Sequence, residues 1–150
     1  MKALSSPCPS CPWRKGSSAD EIPNFSMPLA EKLRATCPNE RGMGPGMDAT
    51  WFACHQSKDG AEIPCAGWLA KVGNAHPRVR LAVMEGRLDP EVLTPGQDWP
   101  ALYDTYPQVM EQLYATCSGD MNAVGASCPH EQQRDLDDAQ DAGSSQDEAR

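Results

Sequence analysis

At 150 residues the chain has the length of one ordinary domain and is too short for two full-sized ones. Only 39% of it is hydrophobic and 6% aromatic, against 14 prolines and 12 glycines, so apolar area for a core is scarce and regular elements must be short. The formal charge of −8 belongs to the rear: residues 1–90 carry a net +2 and residues 91–150 a net −10, which repels nucleic acid there without forbidding a contact by the front.

The first predicted helix spans about 27–36, capped by Ser26, with Pro28 in its first turn and Leu29 and Leu33 on one face. Residues 38–50 read as a loop, rich in glycine and proline. The stretch from Thr50 to His55 reads as a short strand delivering Cys54, and Lys58-Asp59-Gly60 as a turn that folds the chain back. A second helix follows Pro64, with Cys65 in its first turn; Cys65, Trp68, Leu69 and Val72 repeat at helical spacing, and Gly73-Asn74 ends it. A third runs from about His76-Pro77 to Glu85, with Val79, Ala82 and Val83 inward. A fourth covers about 106–116, where Tyr106, Val109, Met110, Leu113, Tyr114 and Cys117 share a face and Thr105 offers a cap. From Glu131 onward Leu136 is the one large apolar residue, and 131–150 reads as a disordered acidic tail. The expected architecture is a small α-rich α+β domain over 1–130, irregular and stapled by metal, with about four short helices and one or two short strands. Its metal lobe is 7–90 and its helical C-terminal part 91–117.

Seven cysteines call for an explanation. The chain begins without an apolar run of signal-peptide length, and no segment approaches the roughly 18 apolar residues of a membrane span, so a cytoplasmic location is expected. There, clustered cysteines read as metal ligands or reactive thiols rather than disulfides. Cys8-Pro9-Ser10-Cys11 is a C-x2-C pair, a spacing at which one turn aims both sulfurs at a single ion. Cys54 and Cys65 complete a four-sulfur set. His55 is an additional ligand or a polar neighbour, pointing away from Cys54 if strand alternation holds. Cys37 is a core thiol, a fifth ligand or a sensor thiol. Cys117 reads as core, and Cys128-Pro129-His130 finds no partners for a second site. Trp13, Trp51 and Trp68 stand close in sequence to the four cysteines and are expected to shield them. Zinc is the expected ion, with a 4Fe–4S cluster as the alternative, since Pro12 removes an N–H beside Cys11 and Cys-Pro pairs are familiar from cluster ligation.

The ordered motifs C-P-S-C-P-W-R (8–14), F-A-C-H-Q-S (52–57), C-A-G-W-L-A (65–70) and V-R-L-A-V-x-x-G-R-L (79–88) resemble a family of small uncharacterised proteins of actinobacteria and their phages, known only as a domain of unknown function. The resemblance spans roughly 7–116. It implies cysteines at the positions of Cys8, Cys11, Cys54 and Cys65 with a histidine at His55, and it brings no activity.

The sequence carries no G-x-S-x-G, H-E-x-x-H or Walker-type glycine loop. The leading expectation is therefore a non-enzymatic module with a structural four-cysteine site that engages a macromolecular partner, protein rather than nucleic acid. The alternatives are an iron–sulfur redox or sensor protein and a metal-dependent hydrolase or nuclease.

Overall fold

The computed structural model describes residues 2–58 and 60–117. Asp59, the group Cys128-Pro129-His130 and the acidic segment 131–150 lie outside them. Among the described residues four α-helices carry the fold: α1, Met27–Leu33; α2, Ala66–Val72; α3, Pro77–Met84; and α4, Tyr106–Thr116. Short 3-10 turns at Ala19–Glu21, Arg34–Thr36, Gly73–Ala75 and Pro90–Leu93 join them.

Each helix starts where local chemistry satisfies its first N–H groups. Ser26 Oγ accepts from Leu29 N–H at 3.4 Å, and Pro28 occupies a position where its missing N–H costs nothing. Before α4, Gln108 Oε1 reaches back to accept from the N–H groups of Asp104 and Thr105 at 3.0 and 3.3 Å. Cys65 is the N-cap of α2 in extended conformation, one position ahead of the predicted first turn. The first helix is shorter than expected, tightening into the turn Arg34–Thr36, and it buries Met27 and Ala30 while Leu29 stays exposed.

β-pairing among the described residues is confined to isolated antiparallel bridges, Arg14 with Leu102, Ala53 with Pro64 and Lys58 with Ala61. The expected strand over 50–55 does not extend because Pro64 has no N–H to donate and the Cys54 carbonyl is taken by Ser57 N–H at 2.9 Å.

One core joins the front of the chain to α4. Trp13, Phe52 and Tyr106 pack ring against ring at 5.6–6.2 Å, and Val109, Met110 and Leu113 face the same cluster. Backbone bonds from Lys15 to the Ala101 carbonyl and from Tyr103 to the Trp13 carbonyl, both 2.9 Å, lay the segment before α4 alongside the C-x2-C turn. The buried Tyr106 hydroxyl donates to the Ala30 carbonyl at 2.8 Å, tying α4 to α1.

His76 caps α3 and is fully buried against Trp68, with ring centroids 5.2 Å apart. Its Nε2 lies 3.2 Å from the Thr50 carbonyl, which can only accept, so Nε2 carries the proton and Nδ1 is left without a partner. Burial lowers its pKa, and the Arg78 charge adds to this. The unfolded chain then binds a proton that the folded chain resists, so stability is full above about pH 6.5 and falls as pH drops below it. The expected slope is at most about 1.4 kcal/mol per pH unit for this residue. Urea midpoints at pH 7.5 and 5.5 should separate in the wild type and draw together in His76→Gln; equal separation in both would assign the loss elsewhere.

Candidate metal centre

The first two thiols come from a tight turn. Cys11 N–H donates to the Cys8 carbonyl at 3.1 Å, closing a β-turn in which Pro9 supplies the fixed φ that the second position favours. The Cys11 carbonyl then accepts from Arg14 N–H at 3.0 Å and from the Ser17 hydroxyl at 2.7 Å, while Arg14 Nη1 donates to the Pro9 carbonyl at 3.0 Å. The turn is braced from both sides although Pro12 contributes no N–H.

The other two come from a hairpin around the Ala53–Pro64 bridge. Cys54 N–H donates to the Ile63 carbonyl at 2.7 Å and Cys65 N–H to the Phe52 carbonyl at 2.8 Å. Immediately after Cys54 the chain turns, and strand alternation ceases to apply. His55 therefore does not point away: the Sγ atoms of Cys8 and Cys54 and a ring nitrogen of His55 all lie within 4.8 Å of one another. These three residues could hold a metal ion.

Cys8 Sγ is 3.6 Å from His55 Nε2, and the same nitrogen is 3.0 Å from Ser10 Oγ. On the inner side Cys11 Sγ is 3.6 Å from Cys65 Sγ. Cys8 Sγ lies within 4.8 Å of Cys54 Sγ, and Cys11 follows it by one turn. The site thus holds two groups, Cys8 and Cys54 with His55 and, apart from them, Cys11 with Cys65, the two joined through the C-x2-C turn. Cys37 is not in the group with His55; its Sγ is 3.6 Å from Thr36 Oγ1, and burial pushes its thiol up to about 11. Cys117 lies at the end of α4, half-buried against the core, and is disulfide-bonded rather than a free core thiol.

The crowding has an electrostatic signature. The thiols of Cys8, Cys11 and Cys54 are all raised, led in each by a neighbouring sulfur: Cys11 for Cys8, Cys65 for Cys11, Cys8 for Cys54. Such a set resists becoming several thiolates together unless a cation compensates the charge. Burial lowers the pKa of His55, favouring the neutral imidazole that serves as a metal ligand.

Two contributors escape a reading of cysteine spacing. Ser10 touches His55 from between the paired cysteines. Gly67 matters through what it lacks, since a Cβ there would lie 2.7 Å from Trp13 Cβ and 3.0 Å from Cys11 Sγ. The available signal was a glycine inside a helical pattern, which marks close approach of another element. Helix propensity alone makes Gly67→Ala stabilising by up to about 1 kcal/mol, whereas the clash costs about 1–3 kcal/mol. A lowered melting temperature is expected; a raised one would mean that the turn yields freely.

Fold and site together define a small helix-rich protein with a cysteine–histidine cluster able to take a metal ion. The chain belongs to a family of unknown function, DUF6283, whose model matches residues 3–124. Comparisons with curated proteins and with solved structures give no match.

Proposed function

We propose that the protein is a non-enzymatic module built around one metal ion bound by Cys8, Cys11, Cys54 and Cys65. The observation that supports this is that thiols from three separate stretches of chain meet in two neighbouring groups, Cys8 with Cys54 and His55, and Cys11 with Cys65. Zinc is the ion favoured. Two thiolates on one tetrahedral zinc stand about 3.8 Å apart, as follows from Zn–S bonds of about 2.3 Å. The 3.6 Å between Cys11 and Cys65 suits that arrangement, whereas a 4Fe–4S cluster distributes its thiolates over separate irons. Expression in medium supplemented with iron and zinc, followed by elemental analysis, tests the reading. One zinc per colourless chain is expected. Brown protein with visible absorption would transfer the site to the iron–sulfur alternative, and protein free of both metals would end the proposal.

The module engages a protein partner in the cytoplasm. Support for a partner comes from exposed methionines, Met43 and Met47 on the loop 38–50 and Met84 on α3, at 58%, 59% and 82% exposure; such flexible side chains suit adaptable protein contacts. The acidic rear of the chain disfavours nucleic acid. Retention on immobilised DNA that falls steeply with salt would reverse this choice. Five of the described cysteines, Cys8, Cys11, Cys37, Cys54 and Cys65, are free thiols, which supports a reducing compartment, while the disulfide at Cys117 argues against it. Among the described residues no helix is long and apolar enough to cross a membrane. A hydrolase or nuclease is disfavoured because the donor group of Cys8, Cys54 and His55 contains no carboxylate to act as base.

A further inference from the structure

We infer that the cleft between the Cys54–Cys65 hairpin and α3 receives the carboxy-terminus of a protein partner, its last side chain apolar and its carboxylate held by Arg78. This rests on the reading above that the module engages a protein, and goes beyond it in naming the docking site and the chemistry it selects.

The cleft has a volume of about 360 Å³. The bridged residues Ala53 and Pro64, each directly ahead of a cysteine, line it together with Trp51 and Ile63, which makes one side apolar. Facing them, the first turn of α3 contributes Arg78. Both sides are fixed before a ligand arrives, because His76 Nε2 donates to the Thr50 carbonyl at 3.2 Å and Arg78 Nη1 to the Ala49 carbonyl at 3.4 Å. Trp51 is half-buried and Arg78 exposed, so both can be reached from solvent.

Arg78 is the only cation of the lining and makes no ion pair among the described residues. Its one long bond to a carbonyl leaves most of its N–H donors for a ligand. A guanidinium so placed matches a carboxylate through paired hydrogen bonds. Glu62 also lines the cleft without pairing with Arg78, its Oε1 accepting from Gly60 N–H at 3.1 Å, and its charge disfavours a second acid on the ligand. The lining therefore selects one carboxylate beside one apolar group. In an extended chain neighbouring side chains point to opposite faces, so an internal apolar residue turns an adjacent acid away from the cleft. A terminal residue carries both groups on one Cα. The loop bearing the exposed Met43 and Met47 runs into the same wall through Ala49, and packs on the turn before α3, where Gly44 leaves no room for a Cβ beside the Ala75 carbonyl. That adaptable apolar surface favours a macromolecule over a free small carboxylate.

The test uses the full chain and fluorescein-labelled pentapeptides Gly-Ser-Gly-Ser-X, with Leu, Ile, Phe or Ser as X, each made as free acid and as carboxamide and read by fluorescence anisotropy. The best apolar acid is expected to bind at least about tenfold more tightly than its amide, the loss typical of a charged hydrogen-bonding partner, and the Ser peptide should not bind. Arg78→Gln should erase the preference for acid over amide. Arg80→Gln removes the same charge from an exposed position of the same helix that does not line the cleft, and should keep the preference. Acid and amide binding alike in the wild type, or equal losses in the two arginine variants, overturns the carboxylate site and leaves a protein partner standing. Failure of every peptide to bind overturns it as well. Failure of the partner reading itself shows separately, as salt-dependent retention on DNA.

Discussion

Cys65→Ser is expected to strip the metal and unfold the front of the chain. Cys65 does three jobs. Its N–H closes the hairpin on the Phe52 carbonyl at 2.8 Å, its carbonyl accepts from Leu69 N–H at 2.9 Å to begin α2, and its sulfur lies 3.6 Å from that of Cys11. Serine preserves the first two and removes only the soft ligand, which makes the substitution specific. A structural zinc contributes roughly 10–16 kcal/mol of apparent binding free energy, comparable with the whole stability of a domain, about 5–15 kcal/mol. A chain with so few apolar residues has no reserve to absorb that loss. Elemental analysis should find less than one zinc in ten chains, and far-UV circular dichroism should show loss of helix at 25 °C. Full zinc content with an unchanged melting curve would remove Cys65 from the ligand set.

Trp68→Ala is expected to cost about 3–5 kcal/mol, the range for deleting a fully buried aromatic side chain. Trp68 is enclosed by Phe52, Trp51 and His76 with centroids at 6.4, 6.3 and 5.2 Å, and its Nε1–H donates to the Thr36 carbonyl at 3.2 Å. The ring therefore bonds α2 to the turn after α1 while holding the hairpin and the cap of α3. For a fold of this size the loss corresponds to a fall of roughly 10–20 °C in melting temperature. The urea midpoint should drop with the slope unchanged. Trp68→Phe, which keeps most of the apolar contact and loses the hydrogen bond, should fall between wild type and alanine. A loss below about 1 kcal/mol in Trp68→Ala would mean that the site collapses around the gap and that the ring is not central to the core.

The helices were legible in the sequence because their signals are local. Ser26 with Pro28, the i, i+3, i+4 repeat through Trp68, Leu69 and Val72, and the apolar stripe from Tyr106 to Leu113 each lie within one or two turns of the elements they specify. The sulfur pair at Cys8 and Cys11 was legible for the same reason, since two intervening residues fit a single β-turn. What escaped was set at a distance or by one backbone bond. The direction of His55 depends on whether the chain stays extended past Cys54, and the Ser57 bond to the Cys54 carbonyl decides that it does not. Periodicity put Leu29 and Leu33 on one face of α1; where α4 lies, with Tyr106 bonded to Ala30, Met27 and Ala30 are buried and Leu33 packs against the core, while Leu29 is exposed. His76 was read as a helix start and is one; its full burial beneath two tryptophans follows from tertiary packing that no local pattern encodes.

The contact between Cys11 and Cys65 joins positions 54 residues apart. On the ribosome the amino-terminal dithiol emerges first and waits for its partners, roughly 3–11 s at bacterial or eukaryotic elongation rates of about 5–20 residues per second. The nascent chain therefore passes through a period with two paired, uncommitted sulfurs, open to trapping by any thiophilic ion or oxidant it meets before the hairpin is made.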